Sequence, residues 1–383
     1  MNVRPKEKTV EEVKASLRER LKGRKAPFHV TDVREAELAI ERIKSLDGEE
    51  WGTVWSAAGS RLEELAQQHE KAGRFEAASE AYFQAYGLYH VGRYPVPNHA
   101  RKAECYTRSR ECFIKGGSLL SPGIERVSVP FDGRAGEGSQ VAFYVRKHVQ
   151  AGPQPVVIRW SGIDTWKEER QDINERFFQA GFAVITMDMP GTGESPVLAT
   201  QDGERQFLPV LDWIERQPQL DATRVALVGM SWGGYWATKL AYQHADRLAA
   251  VVNWAGPVHY SFERDWLLKS QLADSYLMDI QVARARCVGK TDYESYIEAA
   301  SGLSLLDAGL LDRPHPPMLL VNGKDDQQQS LEDFMLLLQS GKPKAVRLFP
   351  GGHMGYTPQT VPTVVEWVRR TVADSATDTE RGR

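Results

Sequence analysis

The sequence predicts an α/β protein: a mostly parallel sheet with helices on both faces, preceded by an N-terminal helical domain and interrupted by a helical insert after the sixth core strand. Three observations carry this expectation. Residues 1–121 read as helix, with apolar side chains at helical spacing such as Leu62, Leu65 and Ala66, then Phe75, Ala78, Tyr82 and Ala85. From residue 122, short apolar runs alternate with helical segments, the pattern of β-α-β units. One of those runs, 225–228, leads straight into Gly229-Met-Ser231-Trp-Gly233, and a helix-like segment follows at once.

In chain order, helices are expected over 11–22, 33–45, 54–72, 74–90 and 100–115. The pair around Lys71-Ala-Gly-Arg-Phe-Glu-Ala-Ala resembles one tetratricopeptide unit, but no further repeats follow, so a small helical domain is the expectation. Its aromatics, Trp51, Trp55, Tyr82, Phe83, Tyr86, Tyr89 and Tyr94, are core candidates, with some available to line a ligand pocket. The second domain, 122–373, offers strands at 126–130, 141–146, 156–160, 183–187, 225–228, 249–254, 318–321 and 345–349. Helices are expected between the later ones, at 168–180, 203–216, 232–244, 330–339 and 361–372. Roughly sixty residues separate Trp254 from Met318, far more than an ordinary connection. Helix-like pieces at 262–272, 276–287 and 293–300 make this stretch, about 258–315, a helical insert positioned to cap a site at the strand ends. Residues 374–383 are polar and read as a disordered tail.

Composition narrows the function. The 383 residues carry a net charge of −3, which gives no electrostatic reason to expect nucleic acid or an anionic membrane as partner. No apolar run is long enough to span a bilayer, and the charged start Met1-Asn-Val-Arg-Pro-Lys-Glu-Lys lacks a signal peptide's apolar stretch, so a cytoplasmic location is expected. The three cysteines, Cys105, Cys112 and Cys287, show no paired spacing and read as free thiols. There is no phosphate-loop motif, no paired-cysteine zinc site and no His-Glu-x-x-His, so neither cofactor nor metal is expected. The expected partner is a small-molecule substrate; a homodimer through an exposed apolar face of the helical domain stays open.

The chemistry starts at Ser231. Gly-x-Ser-x-Gly between strand and helix is a nucleophile elbow, which holds a serine hydroxyl above the sheet. A serine hydroxyl needs a base within hydrogen-bond reach and a third group to orient that base. In this architecture the partners follow in the order serine, acid, histidine. The loop Asn322-Gly-Lys-Asp325-Asp326 after a late strand supplies the acid; the spacing from Gly323 selects Asp326, with Asp325 as the alternative in an Asx-turn. Among nine histidines, His353 alone sits in a glycine-rich loop after the last strand. Oxyanion donors are expected from the backbone N–H of Trp232, at a helix N-terminus, and of Ile163, in the loop after the third strand. Trp160, Asp164, His259, Tyr260 and Glu263 are candidate substrate contacts, the last three also candidate proton donors. The turn Asp188-Met-Pro-Gly-Thr-Gly-Glu-Ser195 contains Gly-x-Gly but fails the wider dinucleotide fingerprint, and reads as structural.

The elbow, the Asp326 loop, the His353 loop and the Asp188 turn together resemble the α/β-hydrolase superfamily over residues 122–373. The helical first domain followed by Ser161-Gly-Ile-Asp164-Thr-Trp-Lys167-Glu168-Glu169 is similar to a subgroup that includes 2,6-dihydroxypseudooxynicotine hydrolase, polyketide-shortening pigment hydrolases and fermentation–respiration-switch esterase-like proteins. Where that subgroup has Gly-Gly, this chain has Ser161-Gly162. The resemblance implies hydrolysis of an ester, or of a carbon–carbon bond beside a ketone, in a small aromatic or polyketide-like substrate, with the helical domain covering the cleft. Two alternatives remain: acyl transfer on the same three residues, and an interaction protein whose tetratricopeptide-like helices bind a partner beside a vestigial core.

Overall fold

The computed structural model describes residues 7–150, 152–272 and 276–381, with side chains described up to residue 375. The chain forms two compact units, one built mainly from Pro5–Arg126 with Asp274–Ala283, the other from Val127–Ala273 with Arg284–Arg383. The insert expected as one piece over 258–315 is therefore divided, with Asp274–Ala283 grouping with the N-terminal helices.

The helical unit contains α1 (Val10–Lys22), α2 (Val33–Arg42), α3 (Gly48–Lys71), α4 (Phe75–Gly92) and α5 (Ala100–Ser118). A capping box opens α1: the Thr9 side chain accepts the Glu12 N–H while the Glu12 carboxylate accepts the Thr9 N–H. Asp32 and Asp47 cap α2 and α3. Asp47, with Glu49 and Glu50 in the favourable first turn, starts α3 well before residue 54, where apolar periodicity alone begins it. Six of the seven aromatics named from sequence are buried; Phe83 is only partly so. Trp51 and Trp55 lie 5.8 Å apart, and the Trp51 indole donates to Val91 O at 2.9 Å. Cys105 and Cys112 are free and buried, and burial pushes the Cys105 thiol up to about 12.

Among the described residues eight strands form one sheet: β1 (Glu125–Pro130), β2 (Gln140–Arg146), β3 (Gln154–Trp160), β4 (Ala183–Met187), β5 (Leu220–Met230), β6 (Ala250–Trp254), β7 (Met318–Gly323) and β8 (Ala345–Phe349). Their spatial order is β1-β2-β4-β3-β5-β6-β7-β8. β2 pairs antiparallel with β4, and every pairing from β4 through β3 to β8 is parallel. The central strands are buried on both faces, which is why they read as continuous apolar runs rather than alternating ones. The other helices are α6 (Gln171–Gln179), α7 (Leu208–Glu215), α8 (Trp232–Gln243), α9 (Arg264–Ser270), α10 (Ile280–Cys287), α11 (Tyr293–Ser301), α12 (Glu332–Gln339) and α13 (Thr360–Arg381). One core layer packs Val157, Val184, Val228, Val252 and Leu319 against Phe177 of α6 and Val364 and Val368 of α13.

Other boundaries also differ from the sequence expectation. Helix α6 starts at Gln171 rather than 168, because Arg170 turns left-handed (φ 61°) and Lys167–Glu169 enter a buried polar cluster instead. The stretch 203–216 is a 3₁₀ turn, Gly203–Phe207, followed by α7, whose Pro209 fits only the first helical turn. The expected tail from 374 continues α13 to Arg381; residues 382–383 lie outside the described residues. Among the described residues no helix is long and apolar enough to cross a membrane.

Candidate active site

Strands β3, β5, β7 and β8 are parallel, so the loops at their C-terminal ends gather at one edge of the sheet, where open α/β sheets bind ligands. At the end of β5, Ser231 adopts φ 53°, ψ −132°, a conformation that costs about 1–3 kcal/mol for a residue with a side chain. Two backbone bonds hold it: Ser231 N–H to Trp254 O at 2.7 Å, and Gly234 N–H to Ser231 O at 2.8 Å. Close approach explains both glycines of the elbow. A Cβ on Gly229 would run into Gly233 O, and one on Gly233 would lie 2.5 Å from Ser161 O. Trp160, offered above as a substrate contact, is instead fully buried and donates its indole N–H to Gly233 O at 2.7 Å. It braces the elbow from β3.

Ser231 Oγ lies 2.8 Å from His353 Nε2, and His353 Nδ1 lies 2.8 Å from Asp326 Oδ2. Of the adjacent aspartates, Asp326 meets the imidazole, while Asp325 is exposed beside Lys324. Burial alone would raise the Asp326 pKa. The imidazole beside it, the Asn322 amide (2.8 Å) and the Gln328 N–H (2.7 Å) outweigh burial and hold the carboxyl below its usual range. An ionised Asp326 can only accept, so Nδ1 carries the ring proton and Nε2 is left to accept from the serine hydroxyl. The three residues thus sit as nucleophile, base and orienting acid would.

Asn322, the penultimate residue of β7, was missed from sequence. Its amide Nδ2 donates to Asp326, and its Oδ1 accepts the N–H of Gly323 (2.7 Å) and of Met354 (3.2 Å). One side chain thereby ties the acid loop to the histidine loop. Trp254, the last residue of β6, also holds the histidine loop, donating its indole N–H to Met354 O at 2.7 Å. The only advance signal for Asn322 is its position at a strand end beside Gly323.

The loop after β3 comes close to Ser231. A Cβ on Gly162 would lie 2.9 Å from Ser231 Cβ and 3.0 Å from its Oγ. Ile163 is buried next to it, and its carbonyl accepts the Trp166 indole N–H at 3.0 Å. Lys167 is fully buried; its Nζ meets Asp188 Oδ2 at 2.6 Å, Glu194 Oε2 at 2.9 Å and Glu168 Oε1 at 3.1 Å. The Asp188 carboxylate also accepts the Lys167 and Glu194 backbone N–H groups. The Lys-Glu-Glu segment and the Asp188 turn, noted separately in the sequence, are thus two halves of one lock. Burial pushes the Glu168 carboxyl above its usual range, against the pull of Lys167, and Tyr144 donates to it at 3.1 Å.

Asp164 is partly buried in this same loop. His259, Tyr260 and Glu263 form a group of their own beyond β6. His259 Nδ1 bonds Ser304 Oγ at 2.7 Å, its Nε2 lies 3.8 Å from Glu263, and its ring lies 4.8 Å from Tyr260. Among the described residues no hydrogen bond joins them to Ser231, His353 or Asp326. Their backbone is anchored by Asp333, also missed from sequence, whose fully buried carboxylate accepts the N–H groups of Val258, His259, Tyr260 and Ser261 at 2.7–3.2 Å. Phe262 of the same turn packs edge-on against Trp232, 5.8 Å away.

Comparison with known proteins bears on family and fold. A family model described as FrsA-like, "Esterase FrsA-like", matches residues 40–372. Esterase FrsA of Photobacterium profundum is 26% identical over 354 residues, covering 90% of this chain and 81% of the relative. Esterase FrsA of Klebsiella pneumoniae is 27% identical over 327 residues, covering 82% and 77%. Among solved structures, 2,6-dihydroxy-pseudo-oxynicotine hydrolase superposes with a TM-score of 0.75 at 21% identity, covering 90% of this chain and 93% of that one. AbyA5 wild type gives a TM-score of 0.70 at 21% identity, covering 95% and 99%.

Proposed function

The chain belongs to the FrsA-like esterase family and is an enzyme of the α/β-hydrolase type, and from that premise we propose that it is a serine hydrolase working through Ser231, His353 and Asp326. The observation that carries the reading is the unbroken relay of two 2.8 Å contacts from the Ser231 hydroxyl to the Asp326 carboxylate. Ser231 Oγ attacks a carbonyl carbon while His353 Nε2 takes its proton. The carbonyl oxygen becomes anionic, and the backbone N–H groups of Trp232 and Ile163 are our candidates to hold it. Neither N–H meets an acceptor among the described residues, and Trp232 opens α8, where the helix dipole favours negative charge. His353 returns the proton to the departing oxygen. Water then attacks the acyl-enzyme, with His353 again taking the proton, and releases the acid.

Ester hydrolysis is the reading favoured here, in keeping with the family's description. A second reading, cleavage of a carbon–carbon bond beside a ketone, draws on the shared fold with 2,6-dihydroxy-pseudo-oxynicotine hydrolase. It needs a proton for the departing carbanion, and protonated His353 can supply it. Acyl transfer to an acceptor other than water uses the same residues.

A fluorophosphonate probe tests the core of the proposal. Labelling of Ser231 that is lost in Ser231→Ala and strongly slowed in His353→Ala is the expected result; an active enzyme that takes no label at Ser231 refutes it. Product carbon skeletons from an aryl ester and from an aryl β-diketone separate the first two chemistries, and competition by added alcohols detects acyl transfer.

A further inference from the structure

We infer that Arg159 is a positioning residue for this reaction: its buried guanidinium fixes the Ser161–Gly162 turn against the nucleophile and sets a positive charge behind the substrate oxygen that becomes anionic. The inference rests on the serine-hydrolase reading above and adds a residue to it.

Arg159 is the penultimate residue of β3 and is 1% exposed. Its Nε donates to Asn174 Oδ1 at 2.6 Å, and its Nη2 donates to Glu169 O at 2.7 Å. Its Nη1 donates to Ser161 Oγ at 3.0 Å and faces Met230 Sδ at 3.5 Å. Every one of these acceptors is an uncharged atom. The charged groups around it, Arg170, Asp172 and Glu169, make no direct ion pair with it among the described residues. Asp172 and Glu169 favour its charge only through space, and a guanidinium withdrawn from water without a hydrogen-bonded counter-ion is costly, a cost that a neutral side chain of similar volume would avoid.

The location shows what the charge can do. Ser161 precedes Gly162, and Met230 precedes Ser231. Nη1 therefore bridges the residues just before the two that face each other, Gly162 and Ser231, whose gap is tight enough that a single added methyl would fill it. A shift at Ser161 moves Gly162 and the neighbouring Ile163 N–H with it. The reacting carbonyl is neutral in the bound substrate and negative in the tetrahedral intermediate, so a fixed nearby cation in a low-dielectric interior favours the second over the first. Such a contribution acts on kcat rather than on KM. Burial lowers the Arg159 pKa to about 10, which leaves it charged at neutral pH.

The test compares Arg159→Gln and Arg159→Lys with wild type. Steady-state turnover of a p-nitrophenyl ester is measured beside the affinity for an aryl trifluoromethyl ketone, which adds to Ser231 and carries the oxyanion charge. Arg159→Gln is expected to lower kcat by about 30- to 100-fold with KM held within about twofold, and to weaken the ketone by a similar factor. Arg159→Lys, which keeps the charge but not the fork, is expected to recover at least about a tenth of wild-type kcat. Arg159→Gln within about threefold of wild type overturns the inference, as does an Arg159→Lys no better than Arg159→Gln, or a loss carried wholly by KM. Should Arg159→Gln fail to fold, Ser161→Ala removes the bridged hydroxyl alone; a fall in kcat of about three- to tenfold at constant KM is then expected, and unchanged kcat overturns the inference. A wild-type enzyme that neither takes the fluorophosphonate nor turns over esters sinks the serine-hydrolase reading itself, a result visible before any variant is made.

Discussion

Replacing Gly162 with alanine adds one carbon at the most crowded point of the site. Gly162 does not occupy the left-handed region, so alanine can adopt its backbone conformation. The added Cβ would nevertheless sit 2.9 Å from Ser231 Cβ, 3.0 Å from Ser231 Oγ and 3.4 Å from the Trp232 nitrogen. Carbon atoms rest at about 3.5–4.0 Å from one another, so loop and nucleophile must separate by roughly 0.5 Å or more. Ser231 cannot simply swing away, because its strained backbone is pinned by Trp254 O. The methyl also intrudes toward the Trp232 N–H that we propose as an oxyanion donor, a role that requires the anion within about 2.7–3.1 Å. Misplacement on this scale, together with a lost donor, predicts a fall in kcat/KM of about 10²–10³, or about 2.7–4 kcal/mol in the barrier. The fold should survive: overpacking costs about 1–3 kcal/mol, equivalent to a Tm drop of roughly 2–12 °C in a domain of this size. The assay is ester turnover with the fluorophosphonate labelling rate in parallel, each at a temperature where circular dichroism shows the variant folded. A Gly162→Ala enzyme within about threefold of wild type on both measures would refute the reasoning, since the loop after β3 would then not border the reacting centre.

Asp326→Asn keeps the side chain's shape but removes the anion that orients His353, and is expected to lower kcat by about 10⁴. Because the folded-state carboxyl lies below its ordinary value, the stability it contributes is present above about pH 4 and lost as pH falls further; the stability gap between wild type and Asp326→Asn should narrow below that pH in urea unfolding. Glu168 runs the opposite way: its raised pKa means that its favourable contribution is complete below about pH 4.3 and is lost as pH rises through the folded-state value. Glu168→Gln, which mimics the neutral acid, should therefore flatten the decline of the urea midpoint toward alkaline pH, and an unchanged slope counts against the assignment. Asp333→Asn turns an amide toward N–H donors that now face a carboxylate, and should cost about 2–3 kcal/mol in stability, read as a lower thermal midpoint.

The parts of the site legible in the sequence are those that make demands on the backbone. Gly229 and Gly233 are required by atoms of neighbouring segments that leave no room for a Cβ, and that requirement is written as Gly-x-Ser-x-Gly whatever the partners are. The loops carrying Asp326 and His353 announce themselves by glycine after an apolar run. Side-chain partnerships are different, because they join segments far apart in the chain. Glu168 and Glu169 have helix-forming side chains and read as the first turn of a helix over 168–180, but Asp188 and Glu194 claim the preceding Lys167, and pairing overrides propensity. Trp160 reads as a pocket wall because it stands at a strand end; its indole N–H has a closer acceptor in Gly233. Asn322 and Asp333 could not be assigned, since what each does is defined by loops that meet it only after folding.

Arg159 stands between these two cases. It interrupts the apolar run Val156-Val-Ile-Arg-Trp160. Strand β3 lies between β4 and β5, and a parallel strand inside an α/β sheet has no solvated face. An arginine there has to bring acceptors with it, and the chain supplies them from both sides of the nucleophile: Ser161 and Glu169 from the β3 loop, Asn174 from α6, and Met230 from the last position of β5. None of the four neutralises the charge. Through Ser161 and Met230 the guanidinium touches the residues next to Gly162 and Ser231, and it is from this placement that we infer its bearing on an anion formed during turnover.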